Sequence, residues 1–561
     1  MISAGIAPPI GAARATRHLR PRNITPEHIG LLLVLLGYLA ATFYAAFAGN
    51  TIALGGGDGV SRVEIASRIF FSRDPHLGAI GFVWSPIPIL VLLPFVAFKL
   101  LWPALVTDAV AGHIVSAVFM AGAVAQLFRL LGVMQVSRRL RWVLTAVFAL
   151  HPMIVLFAAN TMSEAPFLFF LLGTAYHMTV WLRTRELRPL VATGFYLAAA
   201  YLTRYESAAA AIAVTAIVGV ATFRLSAGGL RERLRCGALD AAIVGAPFAA
   251  AFVGFALASW LLVGTPFQQF SSSYSNAAEV PLQTAGHAET IAAATLQAIH
   301  GVLSIEPFFP VAFVACLVVA LKRRAWSSLG GSAVLGMVVA FMFTSYTIGE
   351  VPRLLRYLIV AIPLTIVMCG VILAPGNNIR GAATRFRAPL RALVVACIIA
   401  ALVLTVPWTA RALLNPNVNG DAYGVQALLK GGVGLTPDQR RAWLDGANDV
   451  AVSRYIDSLH LRRGAILVDD FDGFIIVMSS SRPDQYIITS DRDFLEALAD
   501  PAAYGVEYVL VPGGQALTQL DAVNRQYPAA YSTGAGIGTL VKQFIDYSAR
   551  QVSWRLYRVT P

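Results

Sequence analysis

The chain of 561 residues is 57% hydrophobic and only 13% charged, with a mean hydropathy of +0.67. A soluble domain needs about a quarter charged residues to cover its surface, so a soluble globular protein is excluded and much of this surface must face lipid. The net charge of +13 would suit nucleic acid, but the arginines fall in short clusters between apolar runs and not on one amphipathic face, which excludes a nucleic-acid partner and matches the positive-inside pattern of membrane proteins.

Residues 1–28 are basic and lack a short apolar region followed by a small-residue cleavage site, so they read as a cytoplasmic tail, with the run from Ile29 as a retained anchor. Apolar runs then recur at about 29–48, 108–128, 142–159, 165–182, 190–203, 207–223, 238–263, 308–321, 328–346, 354–373 and 391–408. The longest reach the ~20 residues that cross a bilayer core. Lys/Arg clusters at 14–22, 129–141, 183–188, 224–235, 322–324 and 380–391 are each separated by an even number of runs. All six can then lie in the cytoplasm, with the N-terminus inside and the C-terminus outside. The run 84–102 breaks this parity. It carries Pro86, Pro88 and Pro94, which interrupt helical hydrogen bonding, so it reads as a re-entrant or interfacial segment of a first outer loop spanning 49–107. The expected fold class is a polytopic α-helical membrane protein of about 11 transmembrane helices, 29–408, with a small extracytoplasmic α/β domain over 409–561.

That second domain announces itself by composition, holding 16 of the chain's 30 acids. Short apolar runs at 465–468, 486–489 and 508–511 read as buried strands, and 491–500 reads as a helix capped by an aspartate. The carboxylates Asp469, Asp470 and Asp472 at a strand end read as a solvated turn or, alternatively, a cation site. Cys236, Cys316, Cys369 and Cys397 form neither a disulfide framework nor a zinc spacing.

Ten of the 14 acids before residue 409 fall at the outer end of this topology. Acids have little influence on orientation, so their concentration there points to a functional site. Three glycines precede Asp58 and let the backbone bend. The following VEIASRIFF has helical apolar spacing, with Arg62 and Arg68 on another face, and predicts a helix lying along the membrane surface. Asp58 is placed either as a general base for an acceptor hydroxyl or as a helix N-cap. Glu164 within NTMSE, Arg204 with Glu206, and Glu350, Arg353, Arg356 and Tyr357 interrupt apolar runs at other outer ends. Ionisable groups at membrane depth face the bundle interior or a cavity, and arginine suits a phosphate. The alternative is that they pair with one another as structural ties, for example Arg204 with Glu164. His113 and His151 read as core histidines, and Phe267, Phe270 and Tyr274 as membrane-interface aromatics.

Together these features resemble the GT-C superfamily of membrane glycosyltransferases, in the branch of the protein mannosyltransferases and the lipid A aminoarabinose transferase. The motifs are Asp58 early in the first outer loop, the helix VEIASRIF, the segment WSPIPILVLLPF, MSEAPFLFFLL with Glu164, LTRYE with Arg204 and Glu206, and RLLRYLIVAIP. Over residues 29–408 the resemblance implies an enzyme that transfers a hexosyl or pentosyl group, with inversion, from a polyprenyl-phosphate sugar to a hydroxyl of a glycan, lipid or protein. It implies Asp58 as the base; charge placement more than motif adds Arg204, Arg353 and Arg356 for the lipid phosphate and Glu164 for a sugar hydroxyl or for orienting an arginine, with Arg62, Glu64, Glu206 and Tyr357 as further substrate-binding residues. No paired acid follows Asp58, unlike the metal-dependent relatives, so no cofactor or metal ligand is assigned. A transporter or flippase for lipid-linked sugars, or a non-catalytic scaffold, are the competing readings.

Overall fold

The computed structural model describes residues 25–47, 57–284, 290–323, 326–352, 354–374, 384–444, 446–513, 516–546 and 552–560. Among them, eight helices are long and apolar enough to cross a membrane: Pro26–Ala46, Val110–Val133, Glu164–Thr184, Ser207–Leu225, Leu230–Val263, Trp326–Ile348, Leu355–Leu373 and Pro389–Leu413. Two bent pairs raise this to ten, Arg138–Ala149 with Pro152–Ala158 (65°) and Ile291–Ile305 with Phe309–Arg323 (84°). Prolines account for both breaks: Pro152 opens the second half of one pair, and Pro307 and Pro310 flank the other. The remaining expected run, 190–203, is a helix of 15 residues, Leu187–Tyr201, packed between Glu164–Thr184 and Leu230–Val263. Leu261, Leu296 and Val311 are among many large apolar side chains left exposed on the bundle, as a lipid-facing surface requires.

Segment 84–102 contains no helix of spanning length. It folds as two four-residue helices, Ile87–Leu90 and Leu93–Val96, beneath the helix Gly57–Phe71. That helix departs from the sequence expectation of one lying along the membrane surface. Val60, Arg62, Val63, Glu64, Ala66 and Ser67 are all buried, so almost every face is covered. The polar faces have protein partners: Arg62 points into the bundle's end, while Glu64 and Arg68 face the C-terminal domain.

The C-terminal domain is built on a five-stranded sheet of β1 Ile466–Leu467, β2 Tyr486–Ile487, β3 Tyr508–Pro512, β4 Gly538–Ile545 and β5 Val552–Val559, in the order β2-β1-β3-β5-β4. β2, β1 and β3 are parallel, with Ile466 opposite both Tyr486 and Tyr508; β5 runs antiparallel to β3 and β4. The parallel strands are the three apolar runs read from the sequence. They are covered on both faces by separate apolar clusters, which is why they read as unbroken apolar runs. β4 carries Thr539, Lys542 and Gln543 on an exposed face, and gave no such signal. The expected helix begins at Phe494, and Asp491 is not its cap: Asp491 accepts instead from Arg73 Nε at 2.9 Å.

Candidate active site

At the bundle end away from the arginine clusters of 129–141, 183–188 and 224–235, four chain segments converge. The first is the opening turn of Gly57–Phe71. Gly59 sits so close to Thr161 that a Cβ there would lie 2.9 Å from the Thr161 carbonyl carbon. The glycine that makes this approach follows Asp58; of the three before it, Gly55 and Gly56 lie outside the described residues, and a Cβ on Gly57 would meet nothing within 4 Å. The contact fixes Asp58 beside the turn 160–164, where Asn160 Oδ1 accepts from Met162 N at 3.1 Å.

Asp58 Oδ2 accepts from Arg356 Nη2 at 2.5 Å. Arg204 is held from two sides: Nη1 donates to Glu164 Oε1 at 2.8 Å and to Ser163 Oγ at 3.2 Å, and Nε donates to Glu206 Oε1 at 2.6 Å. The Tyr357 ring lies 5.3 Å from the Arg204 guanidinium and 5.4 Å from that of Arg356. Arg204 is thus tied to Glu164, the alternative left open by the sequence. Arg62, one helical turn after Asp58 on the same face, differs. It lies 4.6 Å over the Trp84 ring, is buried, and its Nη1 has no hydrogen-bond partner among the described residues.

Asp58, Arg62, Arg204, Glu206, Arg356 and Tyr357 line one pocket of about 60 Å³. Glu164 stands behind Arg204. Glu64 is not in the pocket: it is buried on the opposite side of its helix, 3.4 Å from Arg68 Nη1. Arg353 lies outside the described residues. Pockets that hold small ligands measure roughly 300–1,000 Å³, so this one is small for a ligand of that class. The wall built by Gln269, Tyr274 and Ser275 comes from the segment after Leu230–Val263. The sequence expectation for Tyr274 is the membrane interface. Its ring instead stacks on Phe471 of the C-terminal domain, centroids 5.0 Å apart, because its hydroxyl finds a buried acceptor there, Asp469 Oδ2 at 2.8 Å. Phe267 packs 5.4 Å from Phe252, and Phe270 packs 5.8 Å from Tyr205.

Three guanidiniums, Arg62, Arg204 and Arg356, face three carboxyls, Asp58, Glu164 and Glu206. Burial pushes the Asp58 carboxyl up, but Arg356 and Arg62 outweigh it and hold the group below the usual carboxylate range. Burial lowers Arg62 to about 10, against the attraction of Asp58 and Glu164, which leaves it charged at neutral pH. For Arg204, burial is overcome by Glu206 and Glu164, and its pKa rises. Two carboxyls near the site had no place in the sequence reading of it. Glu279, one turn beyond Ser275, is pushed up to about 7 by burial and by Asp58. Asp421 is raised by burial against the pull of Arg356. Neither belongs to a recognisable motif; only their charge in an outer segment marks them.

His113 Nδ1 lies 2.6 Å from the Ala159 carbonyl oxygen, and His151 is buried 3.9 Å from Glu306. Glu306 is therefore inside the bundle, at the 84° bend, and not with the other acids at its end. Among the described residues no three His, Cys, Asp or Glu side chains are grouped to hold a metal ion. Asp469 is instead a helix N-cap, accepting from Phe471 N at 2.8 Å.

No family model and no curated protein matches the chain. Among solved structures, ArnT from Cupriavidus metallidurans bound to undecaprenyl phosphate superposes with a TM-score of 0.53 over 95% of this chain and 99% of that one, at 14% identity. The two chains share one fold. The archaeal oligosaccharyltransferase AglB from Archaeoglobus fulgidus, in complex with an inhibitory peptide and a dolichol-phosphate, aligns over 86% of this chain and 69% of that one at 11% identity and a TM-score of 0.43, a likeness that carries no argument. The match to ArnT runs through both the helical bundle and the C-terminal domain, since it leaves only a twentieth of this chain uncovered.

Proposed function

We propose that the protein transfers a sugar from a polyprenyl-phosphate donor to an acceptor hydroxyl, at the outer end of the bundle and with inversion. The positive-inside distribution of arginines supports that orientation, with residues 1–28 cytoplasmic, 29–408 forming the catalytic membrane domain and 409–561 on the outer side of the plasma membrane. The observation that carries the reading is the pairing, on one helical turn, of a carboxylate, Asp58, and a buried guanidinium, Arg62, whose Nη1 has no hydrogen-bond partner among the described residues. The likeness to a protein bound to undecaprenyl phosphate supports the donor class.

In the reaction the acceptor oxygen attacks the anomeric carbon as the bond from that carbon to the phosphate oxygen breaks. The electron pair leaves with the polyprenyl phosphate, and Asp58 takes the acceptor's proton. Arg62 and Arg356 offset the charge gathering on the departing phosphate. Arg204, anchored by Glu164 and Glu206, is held in place beside the phosphate site, and Tyr357 stands between Arg204 and Arg356. Glu64 and Arg353 have no step in this scheme.

The test is a panel of radiolabelled polyprenyl-phosphate sugars given to the purified protein in proteoliposomes with a cell-envelope extract. Label appearing on an acceptor supports the transferase. Label crossing the bilayer while still on its lipid supports the flippase and removes the transferase.

A further inference from the structure

The C-terminal domain meets the pocket through three consecutive residues, Asp469, Asp470 and Phe471, at the start of its helix Asp470–Ser479. Each reaches a different part of the site's frame. Asp469 is fully buried. Its Oδ1 accepts from Phe471 N at 2.8 Å, while its Oδ2 accepts from Ala522 N at 2.5 Å and from the Tyr274 hydroxyl at 2.8 Å. Phe471 stacks on the Tyr274 ring, and Arg525 donates to the Tyr274 hydroxyl at 3.2 Å from the other side. Tyr274 and its neighbour Ser275 are pocket wall. Asp470 turns the other way and pairs with Arg68, on the helix whose first turn carries Asp58 and Arg62. Arg68 also donates to the Ala79 carbonyl at 2.8 Å and faces Glu64, so this joint is enclosed by protein. A buried carboxylate that loses its partner is strongly destabilised, so each joint has one favoured geometry.

From this we infer that Asp469 and Asp470 are positioning residues, through which the C-terminal domain sets the separation of the pocket's two walls: the segment bearing Tyr274 and Ser275, and the helix bearing Asp58 and Arg62. Neither carboxylate lines the pocket, so neither reaches a substrate held there. The domain works as a two-armed brace, and the pocket's width follows from where one helix start sits. The kinetic consequence rests on the transferase reading; the structural one does not.

The experiment uses the full-length protein in detergent micelles and follows amide hydrogen exchange by mass spectrometry in Asp469→Asn, Asp470→Asn and Tyr274→Phe. Tyr274→Phe removes only the hydroxyl and keeps the ring on Phe471, so it breaks the first arm without disturbing the C-terminal domain. The expected result is at least tenfold faster exchange over residues 264–284 in Asp469→Asn and Tyr274→Phe, and over 57–71 in Asp470→Asn. Exchange in the strands 508–512 and 552–559 stays unchanged. In the transfer assay, the same variants lower kcat about tenfold and leave the donor KM within twofold, and Asp470→Glu restores part of the loss. Exchange over 264–284 that is unchanged in Tyr274→Phe overturns the inference, even if an aspartate variant fails to fold. Faster exchange in a protein that transfers from no donor keeps the brace and discards the transferase.

Discussion

Asp58 and Arg356 form the pair on which the chemistry turns, and their geometry makes a prediction about pH. In the free protein the carboxyl is held below its usual range by Arg356 and Arg62, so it is ionised at neutral pH. A donor phosphate draws on the same two guanidiniums, and the carboxyl loses part of what keeps it low. The acid limb of kcat, which reports the bound complex, is therefore expected at higher pH than the limb of kcat/KM, which reports the free enzyme. Coincident limbs in the two profiles contradict this. Arg62 gives a second prediction. A hydrogen bond to a charged group is worth about 1.5–3 kcal/mol, so Arg62→Gln is expected to weaken binding of undecaprenyl phosphate by about ten- to a hundredfold, read by a lipid-binding titration. Gly59 gives a third. A methyl there meets the Thr161 backbone, and overpacking of this kind costs about 1–3 kcal/mol. Gly59→Ala is expected to lower the unfolding temperature and to cut turnover by about a hundredfold, since a 1 Å misplacement of a catalytic group has that effect. The sequence marked Asp58, Arg62, Arg204 and Arg356 because charge inside apolar runs is conspicuous. It did not mark Gly59 or Tyr274, because a close approach and a buried phenol hydroxyl depend on which distant segment arrives opposite them.

At the scale of elements, the spanning runs were legible from apolar length alone, and the proline-rich segment 84–102 from its broken hydrogen bonding. What length and composition did not convey was burial by other protein. The helix Gly57–Phe71 has an apolar face and a charged one, which predicts a helix on the membrane surface; its charged face is instead satisfied by Asp470 and by the pocket. The same limit applied to Asp491, whose place near a helix start predicts a cap while its actual partner, Arg73, lies 418 positions earlier. Glu306 looked like one more acid at the bundle's end, and Pro307 beside it bends the chain so that it turns inward. Local signals gave the elements, and the pairing of charges across hundreds of residues was settled only by packing.

For the whole molecule, the seam between bundle and C-terminal domain holds buried carboxyls with raised pKa values. Burial pushes Asp469 and Asp491 to about 6 and Asp472 to about 7. The folded state then binds protons more tightly than the unfolded chain, whose aspartates titrate near the ordinary 3.8. Stability from these groups is greatest in acid and is lost as pH rises through about 6 to 7. Asp74 acts in the opposite sense, held at about 2 by Arg492, but its contribution is lost only as pH falls below the carboxylate range. The unfolding temperature of the C-terminal domain is therefore expected to be higher at pH 5 than at pH 8, by calorimetry in a fixed detergent; a lower value at pH 5 removes this account of the seam. The most direct test of the site as a whole compares the intact protein with Asp58→Asn, measuring undecaprenyl-phosphate binding and sugar transfer on the same preparations. The account predicts that the variant still binds the lipid, with affinity equal or greater because Arg356 is released from its partner, and that transfer falls by at least a thousandfold. Transfer at the intact rate would contradict it and leave Asp58, which lies inside the first helical turn, only as a structural partner of Arg356.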